Sequence, residues 1–229
     1  MAENLAQHLR LMLVTDDLAL GRRDPLEVCR AAVRGGVTCI QLRLKHAAPR
    51  VLLDIARVLV AGLEVPVVVN DRADVALAAG AGVHLGPQDL PLDLARRLFP
   101  AGRLIGASVG TPEEAASAQA ADYWGIGPWR TTGTKTDAGP ALGAEGFRRL
   151  VALSRGKPCL AIGGVRPEDV GEILASGGTG VAVVSGILGQ EDVEAAARAY
   201  TTELLMVFRR SGPSGAPGRS RPDAPRWFG

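Results

Sequence analysis

The sequence predicts a (β/α)8 TIM barrel. Short β-rich apolar runs alternate with amphipathic stretches eight times along the chain. The connections between them are short, which points to a parallel sheet whose strands are joined by helices. Apolar residues make up 47% of the 229 positions but aromatics only 4%, so the core must be built from Val, Leu, Ile and Ala. Those are the side chains that parallel sheets covered on both faces prefer. Eight such units can close on themselves; a doubly wound open sheet is the alternative that the same rhythm allows. The length suits one domain of this kind, assigned to residues 1–210.

The elements follow in order. Residues 11–15 (LMLVT) form the first strand, and a helix over 25–34 starts on Pro25 and stops at Gly35-Gly36. Residues 37–43 (VTCIQLR) are β-rich. The apolar positions Val51, Leu52, Ile55, Val58 and Leu59 then mark one face of a helix over 49–63. Strands at 67–70, 82–86 and 104–108 precede helices at 74–79, 91–99 and 111–120. The last of these opens on Thr111-Pro112-Glu113-Glu114: a cap, a proline in the first turn, and acid on the helix N-terminus. Strands at 123–127, 159–164 and 180–185 precede helices at 143–154, 167–175 and about 191–208.

Composition excludes several roles. No apolar run reaches the ~18 residues that a membrane span needs, and the first ten residues lack the pattern of a signal peptide. Cys29, Cys39 and Cys159 form no CxxC pair, so they read as reduced, buried thiols of a cytoplasmic protein. The net charge of +2 is misleading: residues 209–229 hold five Arg and one Asp, a net +4, which leaves the body at −2. No nucleic-acid surface is expected. Residues 211–229 are rich in Gly, Pro, Ser and Arg without periodicity and read as a disordered tail. The oligomeric state is left open, a homo-oligomer included.

In such a barrel, the chemistry sits at the C-terminal ends of the strands and in the loops that follow. After strand two come Gln41, Arg43 and Lys45, spaced two apart and so facing one way in extended chain. After strand three come Asn70 and Asp71, and after strand four Asp89. Two carboxylates converging from neighbouring strand ends repel unless a cation lies between them. Mg²⁺ fits that role, being held by one or two carboxylates and substrate phosphates. Asp71 could instead be the N-cap of the next helix. His84 alternates with Val83 and Leu85, so it points into the barrel when they face the helices.

The loop after strand six carries Thr131, Thr132, Thr134 and Lys135. Hydroxyls and backbone amides there can cradle a phosphate, with Lys as a point charge. Gly163-Gly164 and Ser185-Gly186 follow strands seven and eight, where barrels commonly bind phosphate. Two anion sites result. One is charged, as a metal-bound pyrophosphate requires; the other is neutral, as a simple phosphate requires. A pyrophosphate monoester of about −3, the two carboxylates, one Mg²⁺, Arg43, Lys45 and Lys135 together come close to neutral, as a partly dry site requires.

Several stretches carry a family resemblance: GGVTCIQLRLK (35–45), VNDRADVALAAGAGVHLGPQDLP (69–91), IGAS (105–108), ADYWGIGP (121–128), TTGTKTDAGPALG (131–143), AIGGV (161–165) and VAVVSGI (181–187). In order and spacing they resemble the thiamine-phosphate synthase family. The resemblance implies a transferase that joins 4-amino-2-methyl-5-hydroxymethylpyrimidine pyrophosphate to hydroxyethylthiazole phosphate, releasing pyrophosphate. It further implies that Gln41, Arg43, Lys45, Asn70 and Lys135 hold the pyrimidine pyrophosphate, with Asp71 and Asp89 on Mg²⁺. His84 and Ser108 would line the pyrimidine pocket, and Thr132, Thr134, Gly164, Val184 and Ser185 would bind the thiazole phosphate. Arg43, Lys45, Lys135 and Ser108 are the expected catalytic groups.

The chain departs from the family pattern at Leu44, where an acid is usual, at Gly110, where His is common, at Pro87-Gln88 and at Thr131. Leu44 should face outward by alternation and matter little. The competing readings are a thiazole tautomerase, whose expected acid/base His falls at Gly110, and a non-catalytic ligand-binding regulator. Neither needs the set Arg43, Lys45, Asp71, Asp89 and Lys135.

Overall fold

The structure is a computed structural model and describes residues 2–131 and 139–211, with side chains for 5–131 and 139–209. Thr132, Thr134, Lys135 and the tail beyond Ser211 therefore lie outside the described residues.

A short helix α1 (Ala2–His8) leads into β1 (Leu11–Val14), α2 (Asp17–Leu20) and α3 (Pro25–Arg34). Then come β2 (Cys39–Leu42), α4 (Pro49–Gly62), β3 (Val67–Asn70), α5 (Ala73–Ala79), β4 (Gly82–Leu85) and α6 (Leu92–Leu98). The chain continues through β5 (Ile105–Val109), α7 (Pro112–Ser117), β6 (Tyr123–Ile126), α8 (Gly143–Leu153) and β7 (Cys159–Ile162). It ends with α9 (Val170–Ala175), β8 (Gly180–Val183), α10 (Ser185–Leu188) and α11 (Val193–Ser211). All eight strands pair in parallel with their sequence neighbours, and β8 pairs with β1, which closes the barrel. Closure excludes the open-sheet alternative.

Strand alternation divides the core into two layers. Leu11, Leu13, Ile40, Leu42, Val83 and Leu85 face the helices in the main cluster. Their alternates Met12, Val14, Cys39, Leu160 and Ala182 pack inside the barrel with Tyr123. A one-residue shift would exchange the two sets, so this pattern specifies register. Leu44 continues the outer layer beyond β2 and is buried there, as its parity predicts.

The helices start where caps exist. Asp24 accepts hydrogen bonds from the Leu26 and Glu27 amides ahead of α3, and Pro25 occupies the first turn. Thr111 accepts from the Glu114 amide ahead of α7. Gly35 and Gly36 end α3 where α11 crosses: a Cβ on Gly35 would lie 2.4 Å from the Glu194 carbonyl oxygen, and Gly36 has φ +105°. Only glycine meets both demands.

Some expectations need correction. The buried face of α4 is Leu52, Ala56 and Leu59, whereas Val51 and Val58 are half exposed. The helices α1, α2 and α10 had no sequence signal that was recognised; α2 and α10 are four residues long, too short for periodicity. Strand eight stops at Val183 because Ser185 already begins α10. The last helix runs to Ser211, one residue into the segment read as tail. The three cysteines are buried and unpaired, and burial pushes the Cys29 and Cys39 thiols up to about 12 and the Cys159 thiol up to about 11. They are packing groups with little thiolate character. Among the described residues, no helix is long and apolar enough to cross a membrane.

Candidate active site

A cleft of about 770 Å³ opens at the C-terminal ends of the strands. Gln41, Arg43, Lys45, Asn70, Asp71, His84, Asp89, Ser108, Gly164, Val184 and Ser185 all line it. Thus every predicted site residue inside the described range comes to one place.

The β2 side is held by side chains. Gln41 is buried and donates to the Asn70 side-chain oxygen at 2.6 Å, which fixes both amides. Arg43 and Lys45 lie past the end of β2, yet their backbone is pinned. The Thr15 hydroxyl accepts from the Arg43 amide at 2.9 Å, and an Asp17 carboxylate oxygen accepts from the Lys45 amide at 2.7 Å. The Arg43 guanidinium pairs with Asp16 at 2.9 Å, both largely shielded from water. Asp16 also caps α2 through the Leu18 and Ala19 amides. The sequence-based charge count omitted Asp16, and with it the charged half carries one more negative group. Asp16 and Asp17 sit at the end of strand one, which is not among the strand ends expected to carry the site.

Asp71 has φ +64°, a left-handed conformation that Asp tolerates better than most residues. Its amide donates to the His84 carbonyl at 2.8 Å, which holds the turn. The N-cap of α5 is Arg72, without a side-chain cap bond, so Asp71 is not the cap of that helix. Burial, then the charge of Asp89 and a hydrogen bond shared with it, push the Asp71 carboxyl up to about 6; Lys45 and Arg43 oppose the shift. Asp89 is turned toward this group while accepting from the Gly86 amide at 2.6 Å. A strained backbone that sets two mutually repelling carboxylates together suits a hard divalent cation.

His84 is 6% exposed. Its Nδ1 lies 3.0 Å from the Tyr123 hydroxyl and its Nε2 3.0 Å from Ser108 Oγ. Burial keeps the Tyr123 phenol well above its ordinary pKa, so it remains a hydrogen-bond donor. In the tautomer whose Nδ1 accepts from Tyr123, Nε2 donates to Ser108 and the serine proton is left for a ligand; in the other, Nδ1 donates to Tyr123 and Nε2 accepts from Ser108. Space for this triad comes from glycine: a Cβ on Gly106 would lie 2.2 Å from the Tyr123 ring and 2.5 Å from His84 Nδ1. Sequence reading missed Tyr123. Its signal was the pair of strand-interior glycines at 106 and 125, which mark a close approach.

The β7–β8 side is built mainly from backbone. Gly163 and Gly164 have φ +93° and +67°. The Tyr200 hydroxyl of α11 supports this turn from behind, donating to the Val165 carbonyl at 2.9 Å. Ser185 opens α10 beside it. Gly110 lies under Glu114, whose carboxylate accepts from the Gly110 amide at 2.6 Å.

Comparison with known proteins agrees with this geometry. The profile of the family described as "Thiamine monophosphate synthase" matches residues 11–187. The thiamine-phosphate synthase of Azorhizobium caulinodans is 44% identical over 211 residues, covering 88% of this chain and 97% of its own. That of Albidiferax ferrireducens is 47% identical over 192 residues, covering 81% and 87%. A solved thiamine phosphate pyrophosphorylase from Pyrococcus furiosus superposes with a TM-score of 0.79 at 37% identity, covering 90% of this chain and all of its own. A phosphoribosyl anthranilate isomerase from Thermus thermophilus, at 18% identity and a TM-score of 0.62, shares the fold alone. The chain belongs to the thiamine monophosphate synthase family.

Proposed function

We propose that the two halves of the cleft divide the work of thiamine phosphate synthesis. The chain is an enzyme that joins the pyrimidine pyrophosphate to the thiazole phosphate and releases pyrophosphate. The observation that carries the division of labour is the contrast within one cleft: paired carboxylates beside Arg43 and Lys45 on one side, a glycine turn and Ser185 on the other.

On this reading, Gln41 and Asn70 hold the pyrimidine and Arg43 and Lys45 hold its pyrophosphate. His84 and Ser108 close the pyrimidine pocket, with the Ser108 hydroxyl free to donate to a ring nitrogen when His84 Nδ1 accepts from Tyr123. Gly164, Val184 and Ser185 receive the thiazole phosphate. Lys135, Thr132 and Thr134 join these sites from the loop after β6. Asp71 and Asp89 would hold Mg²⁺, which supplies positive charge to the pyrophosphate oxygens.

The reaction breaks the bond between the pyrimidine methylene carbon and the pyrophosphate oxygen, and that oxygen keeps the electron pair. The thiazole nitrogen lone pair then forms the new bond to the carbon. No protein nucleophile is required. The demand on the protein is to stabilise charge growing on the leaving group and to align two rings. Arg43 and Lys45, held from behind by Asp16 and Asp17, are suited to the first task. Three buried, unpaired cysteines agree with a reducing compartment such as the cytoplasm.

Incubation with both substrates and Mg²⁺ should release thiamine phosphate and pyrophosphate one for one, with neither product when one substrate is omitted. Absence of product from the complete mixture would defeat the assignment. An electron-poor pyrimidine, such as a trifluoromethyl analogue, should react much more slowly in a chemistry-limited step; an unchanged rate would rule out the dissociative order of events.

A further inference from the structure

Asp169 lies in the turn between β7 and α9 and is only 3% exposed. Burial pushes its carboxyl up, but the hydrogen bonds from Arg130 and from the Arg166 amide outweigh burial and hold it below the ordinary carboxylate range. Arg130 approaches with two guanidinium nitrogens, one on each carboxylate oxygen, and its Nε lies 3.0 Å from Oδ2. The Arg166 amide donates to Oδ2 at 2.9 Å. A two-point contact of this kind sets direction as well as distance.

The pair joins two loops. Arg130 follows β6, at the point where the chain leaves the sheet. The Trp129 amide donates to the Ile162 carbonyl at 2.7 Å and the Arg130 amide to the Gly163 carbonyl at 2.9 Å. Downstream, the Leu142 amide donates to the Pro128 carbonyl at 2.8 Å, which ties the start of α8 to the end of β6. Asp169 belongs to the other loop, the one that carries Gly164. These loops touch directly: a Cβ on Gly164 would lie 3.0 Å from the Arg130 Cβ and 3.4 Å from the Thr131 carbonyl oxygen. Arg130 itself does not line the cleft, and its outer half is in solvent. Among the described residues, no hydrogen bond or ion pair joins either residue to the β2–β4 side.

We propose that Arg130 and Asp169 are positioning residues for the thiazole phosphate, holding the Gly163-Gly164 turn against the end of β6 at Pro128–Thr131 so that the Gly164 backbone meets the phosphate in fixed register. The proposal rests on the assignment of that turn to the thiazole phosphate. The two residues act through the Gly163-Gly164 turn, which Arg130 and Thr131 contact, and touch no reacting atom. Misplacing a binding group by about 1 Å can cost up to roughly a hundredfold in rate, so loss of the lock has room to show.

The test is steady-state kinetics on Arg130→Met, Asp169→Asn and the double variant, with thermal midpoints recorded alongside. The expected result is a KM for the thiazole phosphate raised about tenfold or more, within that hundredfold range, while the KM for the pyrimidine pyrophosphate changes less than twofold. The double variant should be no worse than the poorer single, because the residues act as one unit. Equal changes in both KM values, or a lowered thermal midpoint with neither KM altered, would overturn the proposal. Should Asp169→Asn fail to fold, the half-exposed Arg130→Met decides by the same criterion. The parent protein is the control for the underlying assignment. No turnover there removes the assignment and the proposal together, whereas normal parent turnover with matched KM changes in the variants removes the proposal alone.

Discussion

The two sides of the barrel mouth are built in opposite ways, and on the proposed assignment each would bind its anion by different means. Around β2, β3 and β4 the groups are polar and charged side chains, each anchored by a hydrogen bond or ion pair: Arg43 by Asp16, Gln41 by Asn70, Asp89 by the Gly86 amide. Around β7 and β8 the groups are glycine backbone and one hydroxyl, supported from behind by Tyr200 and by the Arg130–Asp169 pair. The charged side buries and crowds its carboxylates: burial first, and then the charge of Asp89, raise the Asp71 carboxyl. Among the described residues, the neutral side places no such pair on the cleft. A metal-bound pyrophosphate brings enough charge of both signs to relieve the first, and a simple phosphate can rest on amides that need no counter-ion.

Removing one carboxylate is the strongest way to break the charged side. Asp71→Asn and Asp89→Asn should each lower kcat by at least 10²–10³-fold, the scale on which a charge-stabilising group acts, and should weaken the dependence on Mg²⁺. The fold should survive, since Asn also tolerates the left-handed conformation at 71. The sign on stability is opposite to that on activity. Asp71 has a folded-state pKa of about 6 against an ordinary 3.8, so ionising it disfavours the metal-free fold. That penalty is absent below about pH 4, grows as pH rises through about 6, and is complete above it. Asp71→Asn should therefore melt above the metal-free parent at pH 8 and level with it near pH 4. A variant that melts lower at pH 8 would contradict the cost of ionising a buried carboxylate beside Asp89.

On the neutral side, Gly164→Val should raise the KM for the thiazole phosphate by about tenfold or more while sparing the pyrimidine substrate. The residue has φ +67°, and its Cβ would press on Arg130. A left-handed conformation costs a non-glycine residue roughly 1–2 kcal/mol, so the turn is expected to distort. Equal effects on the two KM values would mean that the sides are misassigned.

Tyr123→Phe probes the wall between the two sides. It keeps the ring that fills the barrel and removes only the bond to His84 Nδ1. The buried imidazole then loses a partner, a cost of about 1–3 kcal/mol, and kcat should fall about tenfold with the KM for the thiazole phosphate unchanged. A rise in that KM instead would place His84 on the thiazole side. The smallest effect is expected from truncation before Ser211. The removed sequence has no periodic apolar face, so activity and thermal midpoint should stay close to those of the full chain. A large drop in either would show that it contributes.

How much of this was readable beforehand differs between the sides for a physical reason. A charged side chain at a strand end announces itself, because an uncompensated charge has no place in a barrel wall. Arg43, Lys45, Asp71 and Asp89 show themselves that way, whereas neutral Gln41 follows from sharing the face of Arg43 and Lys45, and the role of Asn70 from the family resemblance. A backbone site shows in sequence only as glycine, which is equally consistent with a tight turn; the positive φ values at 163 and 164 were needed to see its shape. Supporting groups were least legible. Asp16, Tyr123 and Asp169 act on residues 27, 39 and 39 positions away along the chain. No local pattern encodes such a contact.

By itself, then, the sequence determined the strand–helix alternation, the inward and outward parity around Gln41 and His84, the helix start at Pro25, the cap at Thr111, and the family. These follow from local periodicity and short-range hydrogen bonding, which neighbouring residues decide among themselves. Only the tertiary structure decided that the barrel closes by pairing β8 with β1, that Arg43 is already paired, that Tyr123 reaches His84, and that the β6 and β7 loops are locked together. Each of these joins groups far apart in the chain, and their meeting depends on where eight strands bring the ends of their loops.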